Sequence, residues 1–304
     1  MERGGEWSCS RLESRSMRAW TSIGHKMNPV LEARDLEVEY PSKGFRAKPF
    51  QALRGVSIEV RAGETLGLVG ESGSGKTTLG RAILGLAPVA AGSIVYDGRD
   101  ITRLRRAERR ELGREIQAVF QDPYSSLSPS MTIESILTEP LAAAGASKND
   151  ARAKVLDLLD RVGLPSVARS RLPREFSGGQ RQRIAIARAL ALDPRVIVCD
   201  EPVSALDLST QERVLDLFIE IQERTGVAYL FISHDLSVVR HISHRVAVMH
   251  RGEIVETGSG AQVTSAPMHP YTQRLFLAAP VSDPDVQRER RQQRRDLALG
   301  VGRD

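Results

Sequence analysis

The sequence predicts an α/β fold: a parallel sheet with helices covering both faces. Three observations carry that prediction. Short, almost uninterrupted apolar runs (TLGLVG, RVIVCD, VAYLFIS) have the character of strands buried on both sides. Amphipathic helical stretches stand between them. The glycine-rich octet GESGSGKT, Gly70 to Thr77, joins the first run to a helix.

Taken in order, LEARDLEVEYP from Leu31 and then ALRGVSIEVRAGE alternate apolar and polar residues, as half-buried strands do. TLGLVG follows as a buried strand. GSIVYDGRDI carries a turn signal at Asp97-Gly98. RLRRAERRELGRE, from Arg103, interleaves basic and acidic residues and reads as a solvated helix face. Ala118 to Phe120 is a short strand. From Pro123 to about Leu192 the apolar period is helical, with Val155, Leu158, Leu159 and Val162 on one face, and the segment reads as an all-helical insertion. RVIVCD and VAYLFIS then return as strands around the helical TQERVLDLFIEIQERTG. AVMHRGEIVETG forms a hairpin, HPYTQRLFLAA a short helix, and QRERRQQRRD a solvated tail. The expected organisation is a disordered extension over 1–28, a main domain over 29–260 with its helical part at 123–192, and an extension with a basic tail over 261–304.

With 304 residues and 41% apolar content the chain can bury a large core. The net charge of +5 is spread thinly. Residues 1–28 hold five basic and three acidic groups, and residues 281–304 hold six and five. The main body is therefore nearly neutral, and charge gives no ground for a nucleic-acid partner. Of the two cysteines, Cys199 lies in VIVCD as a small buried hydrophobe; with Cys9 it forms neither a disulfide framework nor a metal-ligand spacing. No apolar run reaches the ~18–20 residues of a membrane span, so a membrane role is expected to come through partners. The N-terminus lacks a continuous apolar stretch and does not read as a secretory signal. Both tryptophans, Trp7 and Trp20, lie there, and regular patterning begins only after Met27, which is expected to be the true start.

The octet fits G-x-x-x-x-G-K-[ST] and sits between a strand and a helix, which is the context the motif requires. Gly70, Gly73 and Gly75 let backbone N–H groups, with those of Glu71, Ser72 and Ser74, curl around phosphate oxygens. The helix starting near Lys76 adds the positive end of its dipole. Lys76 is suited to the outer phosphates, Thr77 to Mg²⁺, and Thr78 to the α-phosphate. Farther along, VIVCDE places Asp200 and Glu201 just past a buried strand. Asp200 suits a Mg²⁺ shell and Glu201 the orientation of a water. A second glycine loop, FSGGQRQRIAIARAL, leads Ser177, Gly178, Gly179 and Gln180 into a helix. It reads either as a simple N-cap or as a second phosphate contact.

Together these residues resemble the ATP-binding cassette (ABC) ATPases over about Leu31 to Ala279. Ser177-Gly178-Gly179-Gln180 is similar to the ABC signature, with Phe176 where leucine is commonest. The resemblance implies a P-loop NTPase with a RecA-like core, an antiparallel β subdomain and a helical insertion. It implies ATP and Mg²⁺ as cofactors and a head-to-tail dimer in which the signature binds the ATP held by the other subunit. Gln121 resembles the Q-loop glutamine, in contact with Mg²⁺ and water. Ser204-Ala205-Leu206-Asp207 resembles the D-loop at the dimer seam, and His234 the switch histidine at the γ-phosphate. Tyr40 stands where an aromatic stacks on adenine, with Phe45 and Phe50 as alternatives. A Ser233-His234-Asp235 relay is a poor reading, because adjacent residues of an extended chain face opposite ways. His241 and His244 lack evident partners for a metal site.

REIQAVFQDPYSSLSPSMTI and His269 to Thr272 (HPYT) narrow the resemblance to ATPases of oligopeptide, dipeptide and nickel importers. That implies a subunit hydrolysing ATP to drive uptake of peptides or related small solutes. Its partners would be a second ABC ATPase, two transmembrane permease subunits and, indirectly, a solute-binding protein. It would sit peripherally at the cytoplasmic face of the inner or plasma membrane. PYSSLSPSM is the expected part of the permease contact. Some relatives hold an iron–sulfur cluster in the C-terminal extension; without cysteines there, none is expected. The alternative is a soluble ABC accessory ATPase, such as that of a phosphonate C–P lyase complex.

Overall fold

Alternation along two central strands divides the core in half. On β7 (Val196–Asp200), Ile197 and Cys199 face one apolar cluster while Val196 and Val198 face another. On β8 (Ala228–Ile232), Tyr229 and Phe231 join the first, and Ala228, Leu230 and Ile232 the second. This period of two is what a strand buried on both faces must show. The computed structural model describes residues 29–41, 49–122 and 126–278. Expectations resting on residues 1–28, Phe45, residues 123–125 and residues 279–304 lie outside these.

Two sheets organise the described residues. β1 (Pro29–Tyr40), β2 (Phe50–Arg61), β4 (Ala91–Tyr96) and β5 (Arg99–Asp100) form an antiparallel sheet in the order β2-β1-β4-β5. β3 (Thr65–Val69), β6 (Ile116–Phe120), β7, β8, β9 (Arg245–His250) and β10 (Glu253–Ser259) form a second sheet in the order β10-β9-β3-β8-β7-β6. Its neighbours are parallel except β10, which returns antiparallel to β9. Asp97 carries the turn between β4 and β5 with φ +48°, ahead of Gly98 at +78°.

Helix α1 (Lys76–Ile83) lies in the cluster shared by the two sheets, and α2 (Arg106–Glu115) is the polar helix before β6, with no buried residue. α3 (Ile133–Ala143), α4 (Lys148–Arg161) and α5 (Gly178–Leu190) lie between β6 and β7 in sequence, with two short 3₁₀ turns. Leu137, Val155, Leu158 and Ile184 interlock there with no exposure above 1%. α6 (Leu208–Thr225) packs on the same face, where Phe218 meets Tyr229 and Phe231 edge-on, at 5.4 and 5.6 Å between ring centres. α7 (Leu236–Ile242), α8 (Gly260–Ser265) and α9 (Pro270–Ala278) complete the order. The chain forms a mixed α/β P-loop fold, as its sequence predicts. No described helix is long and apolar enough to cross a membrane.

Candidate functional site

The glycine loop leaves β3 at its buried end and is closely approached from behind. A Cβ at Gly75, where φ is +112°, would come within 2.8 Å of the Ala52 carbonyl and 3.0 Å of Leu53 Cδ2. One at Gly70 would run into the Met249 carbonyl. Gly73 faces open space, yet its φ of +78° still favours glycine. Glu71, Ser72 and Gly73 are exposed on the front of the loop, and Thr78 is half-buried on α1. Ser74 is buried, donating its N–H to the Glu71 carbonyl (3.2 Å) and accepting from the Gly252 N–H (2.8 Å). The loop therefore presents a curved, open row of backbone amides, backed by packed chain.

Lys76, 5% exposed, folds back over this loop. Its ammonium donates to the carbonyls of Gly70 (2.7 Å) and Glu71 (2.8 Å). Burial lowers its proton affinity, against the opposing charges of Glu201, Asp200 and Glu71. Thr77 Oγ1 donates to Asp200 Oδ1 at 3.1 Å. Gly80 makes that reach possible. A Cβ there would press on Ile232 Cδ1 (3.0 Å) and Val198 Cγ1 (3.2 Å), so its absence lets α1 lie close across β8 and β7. Burial, with Glu201 alongside, raises the Asp200 carboxyl above its ordinary value, against the Thr77 hydrogen bond and the charges of Arg81 and Lys76. A hydroxyl and an under-compensated carboxylate form an oxygen pair of the kind hard divalent cations prefer.

Glu201 sits one residue beyond β7 with φ +51°, a left-handed backbone that residues other than glycine rarely take. Its N–H donates to the Ile232 carbonyl (2.9 Å), and its own carbonyl accepts from Ser204 N (3.3 Å) and Oγ (3.1 Å). These bonds aim the side chain at His234, whose Nδ1 is 3.0 Å from Glu201 Oε1. Gln121 is exposed and follows Phe120, which pairs with Asp200, so Gln121 and Glu201 leave the sheet at the same end of two neighbouring parallel strands. Ser233, His234 and Asp235 do separate work. Ser233 is buried and its Oγ accepts from the Asp235 N–H, while Asp235 caps α7 through Ser237. His241 lies 3.0 Å from Asp216, and His244 Nδ1 accepts from the Thr65 N–H. Tyr40 is half-buried opposite Phe50, at the end where β1 leads into β2, the strand whose Leu53 backs Gly75. Phe50 is exposed.

The Ser177 loop lies in a different neighbourhood. Ser177 caps α5, accepting from Gln180 N (3.3 Å), while Gln180 Oε1 accepts from Ser177 N (3.0 Å). This reciprocal cap leaves the first-turn amides of Gly178 and Gly179 to be met from outside the helix. The atoms nearest those glycines belong to Leu206 and Thr210, whereas those nearest Gly70 and Gly75 belong to Met249, Ser74, Ala52 and Leu53. Asp207 caps α6 by accepting from Thr210 N (3.0 Å) and Ser209 Oγ (2.9 Å). Those bonds, led by Thr210, lower its carboxyl to about 2. The chain thus joins Lys76, Thr77, Asp200, Glu201 and His234 in one cluster, and Ser177, Gly178, Gly179 and Asp207 in another.

Residues 53–204, half of the sequence and spanning both clusters' glycine loops, match the sequence profile of the ABC transporter. The chain belongs to the ABC transporter family. Among solved structures, CbiO1 of Clostridium perfringens, part of the ABC transporter complex CbiONQ, aligns with a TM-score of 0.71 at 26% identity, covering 79% of this chain and 92% of that one. The ATP-binding cassette MJ0796, in a dimeric post-hydrolysis state with ADP and Pi, aligns with a TM-score of 0.67 at 29% identity, covering 76% and 98%. Among relatives, the oligopeptide transport ATP-binding protein OppD of Mycobacterium tuberculosis is 53% identical over 234 residues, or 77% of this chain and 38% of that protein. The glutathione import ATP-binding protein GsiA of Salmonella typhimurium is 49% identical over 268 residues, or 86% and 43%. The chain spans well under half the length of these two. Membership of the ABC family implies nucleotide binding.

Several residues that shape the site were not singled out from sequence. Gly80 and Thr210 act through packing and carry no motif signal. Tyr271 lies inside HPYT, a segment that marks a subfamily without showing what its tyrosine touches.

Proposed function

We propose that this ABC cassette hydrolyses ATP as one half of a cassette dimer, driving import of peptides or related small solutes through two permease subunits. The observation that carries the reading is the join of Thr77 to Asp200 and of Glu201 to His234 in one cluster, with the Ser177 loop in another. The ends of α1 and β7 supply phosphate, cation and water contacts. The signature amides of Gly178 and Gly179 are left for a nucleotide held by a second cassette. The names of OppD and GsiA point the same way, and the lyase-accessory alternative is not favoured.

The geometry supports a role for each of these residues. Lys76 and the loop amides hold and orient the phosphates. Thr77 and Asp200, with Gln121 beside them, would hold Mg²⁺, which when bound offsets charge developing on the phosphate oxygens. Glu201 orients the attacking water and takes its proton, and His234 fixes the carboxylate's direction. Closure of the dimer brings Ser177 and its glycine amides onto the γ-phosphate, a contact that lasts only while the third phosphate is present. Loss of that phosphate removes the differential affinity for the closed state, and the dimer opens. Tyr40 or Phe50 stacks on adenine. The helices between residues 123 and 192, entered at Gln121, pass the motion to the permeases at the cytoplasmic face, with a solute-binding protein supplying cargo. Affinity capture of this chain from detergent-solubilised membranes is the test. Two permease subunits are expected, and a soluble lyase core in their place would overturn the reading.

A further inference from the structure

We propose that Tyr271 is a positioning residue for the nucleotide loop, acting through its hydroxyl on the Gly70–Glu71 peptide group. The inference rests on the reading of that loop as an ATP site. One peptide unit is gripped at both ends. Its carbonyl, from Gly70, accepts from Lys76 Nζ at 2.7 Å. Its N–H, from Glu71, donates to the Tyr271 hydroxyl at 3.1 Å. A peptide group is rigid and planar, so holding the N–H fixes where the carbonyl points. The carbonyl in turn fixes Lys76, whose ammonium gives a second proton to Glu71 O and keeps its third for a phosphate.

The tyrosine is itself built in. It is 4% exposed, and its ring lies on His250 with centroids 3.9 Å apart and planes 22° from parallel. His250 ends β9, directly after Met249, whose carbonyl backs Gly70. The start of α9 is anchored by Glu256 of β10, which accepts from Met268 N (2.8 Å) and His269 N (3.0 Å). His269 Nδ1 then accepts from Tyr271 N at 3.1 Å. The phenol oxygen accepts the amide with a lone pair, and burial raises the Tyr271 phenol above its ordinary value, against the Glu71 hydrogen bond. A segment 200 residues along the chain from Glu71 therefore sets the orientation of the loop's first peptide.

Tyr271→Phe keeps the ring and removes the oxygen. Loss of one amide hydrogen bond that orients the binding loop should raise KM for ATP about 3–10-fold and leave kcat within about twofold. Exchange of the Glu71 amide with D₂O should speed up by a similar factor, with no loss of melting temperature. An unchanged KM with unchanged Glu71 exchange overturns the proposal, as does a lower melting temperature with KM unmoved, which would make the hydroxyl merely structural. The wild-type chain supplies an independent check. Its Glu71 amide, without nucleotide, should exchange more slowly than the exposed amide of Ser72, and equal rates would also refute the contact. If the wild-type chain hydrolysed no ATP, the ATPase reading would fail while the exchange experiment still judged Tyr271.

Discussion

Replacing Gly179 with alanine isolates the signature loop's packing from its chemistry. Gly179 is the second residue of α5, and its Cα rests against the side chain of Thr210 on the first turn of α6. A Cβ there would fall inside 3.0 Å of Thr210 Cγ2. The remaining Thr210 atoms are no obstacle, since Cβ and Oγ1 stand 3.7 and 4.0 Å away. One methyl therefore blocks one methyl, and the Thr210 methyl or the helix starts that carry the two groups must shift by roughly an ångström. Overpacking of this kind costs about 1–3 kcal/mol, worth roughly 2–4 °C in melting temperature per kcal/mol for a chain of this size. Misplacing a group that contacts the transition state by that distance can cost about 100-fold in rate. Gly179→Ala should thus melt several degrees lower and hydrolyse ATP about 10–100-fold more slowly. Adding Thr210→Ala removes the blocking methyl and keeps the Thr210 N–H bond to Asp207, so the double variant should recover most of both losses. Calorimetry and steady-state phosphate release read the two quantities. Wild-type turnover in Gly179→Ala, or no recovery in the double variant, would refute the packing account.

Three further outcomes are expected. Glu201→Gln should bind ATP and form dimers normally while turnover falls about 10²–10⁴-fold; an unchanged kcat would remove Glu201 from its role. Glu201→Gly should also lose turnover, yet it relieves a left-handed backbone worth about 1–2 kcal/mol, so a melting point several degrees below wild type would contradict the strain seen at φ +51°. For His244, burial lowers proton affinity below the ordinary 6.5, against the nearby Glu64 charge, while Nδ1 accepts from the Thr65 N–H. The unfolded chain then takes the proton first. This contribution to stability is complete above about pH 6.5 and is lost as pH falls through the lower folded value. Denaturant midpoints should drop more steeply toward pH 5 in the wild type than in His244→Asn; equal slopes would count against it.

What could be read from sequence follows from the range of each interaction. Lys76 and Thr77 sit in a local loop whose glycines declare its shape, and Asp200 ends an apolar run, so each residue and its chemistry were legible. The join between Thr77 and Asp200 depends on α1 lying close across β8, and nothing near either residue announces it. β6 begins at Ile116, two residues before the expected Ala118, because its pairing with β7 starts where α2 ends. α7 was not anticipated, since seven residues are too few for a periodicity to show. The positive φ of Glu201 was hidden because no glycine marks it. The Tyr271 hydrogen bond and the His244–Thr65 contact link residues 200 and 179 positions apart. Only the assembled sheet brings them together.

Mixing two crippled chains tests most directly whether the nucleotide site is shared between cassettes. Lys76→Ala spoils a chain's own phosphate loop, and Ser177→Arg spoils the signature it offers to a partner. Each variant assayed alone should be nearly inactive under conditions where the wild type turns over. In a one-to-one mixture, half of the dimers would carry one fully intact pocket, with Lys76 from one chain facing Ser177 of the other, and phosphate release should reappear. A mixture as silent as its components, beside an active wild type, would place both glycine loops in the service of a single chain and contradict the account.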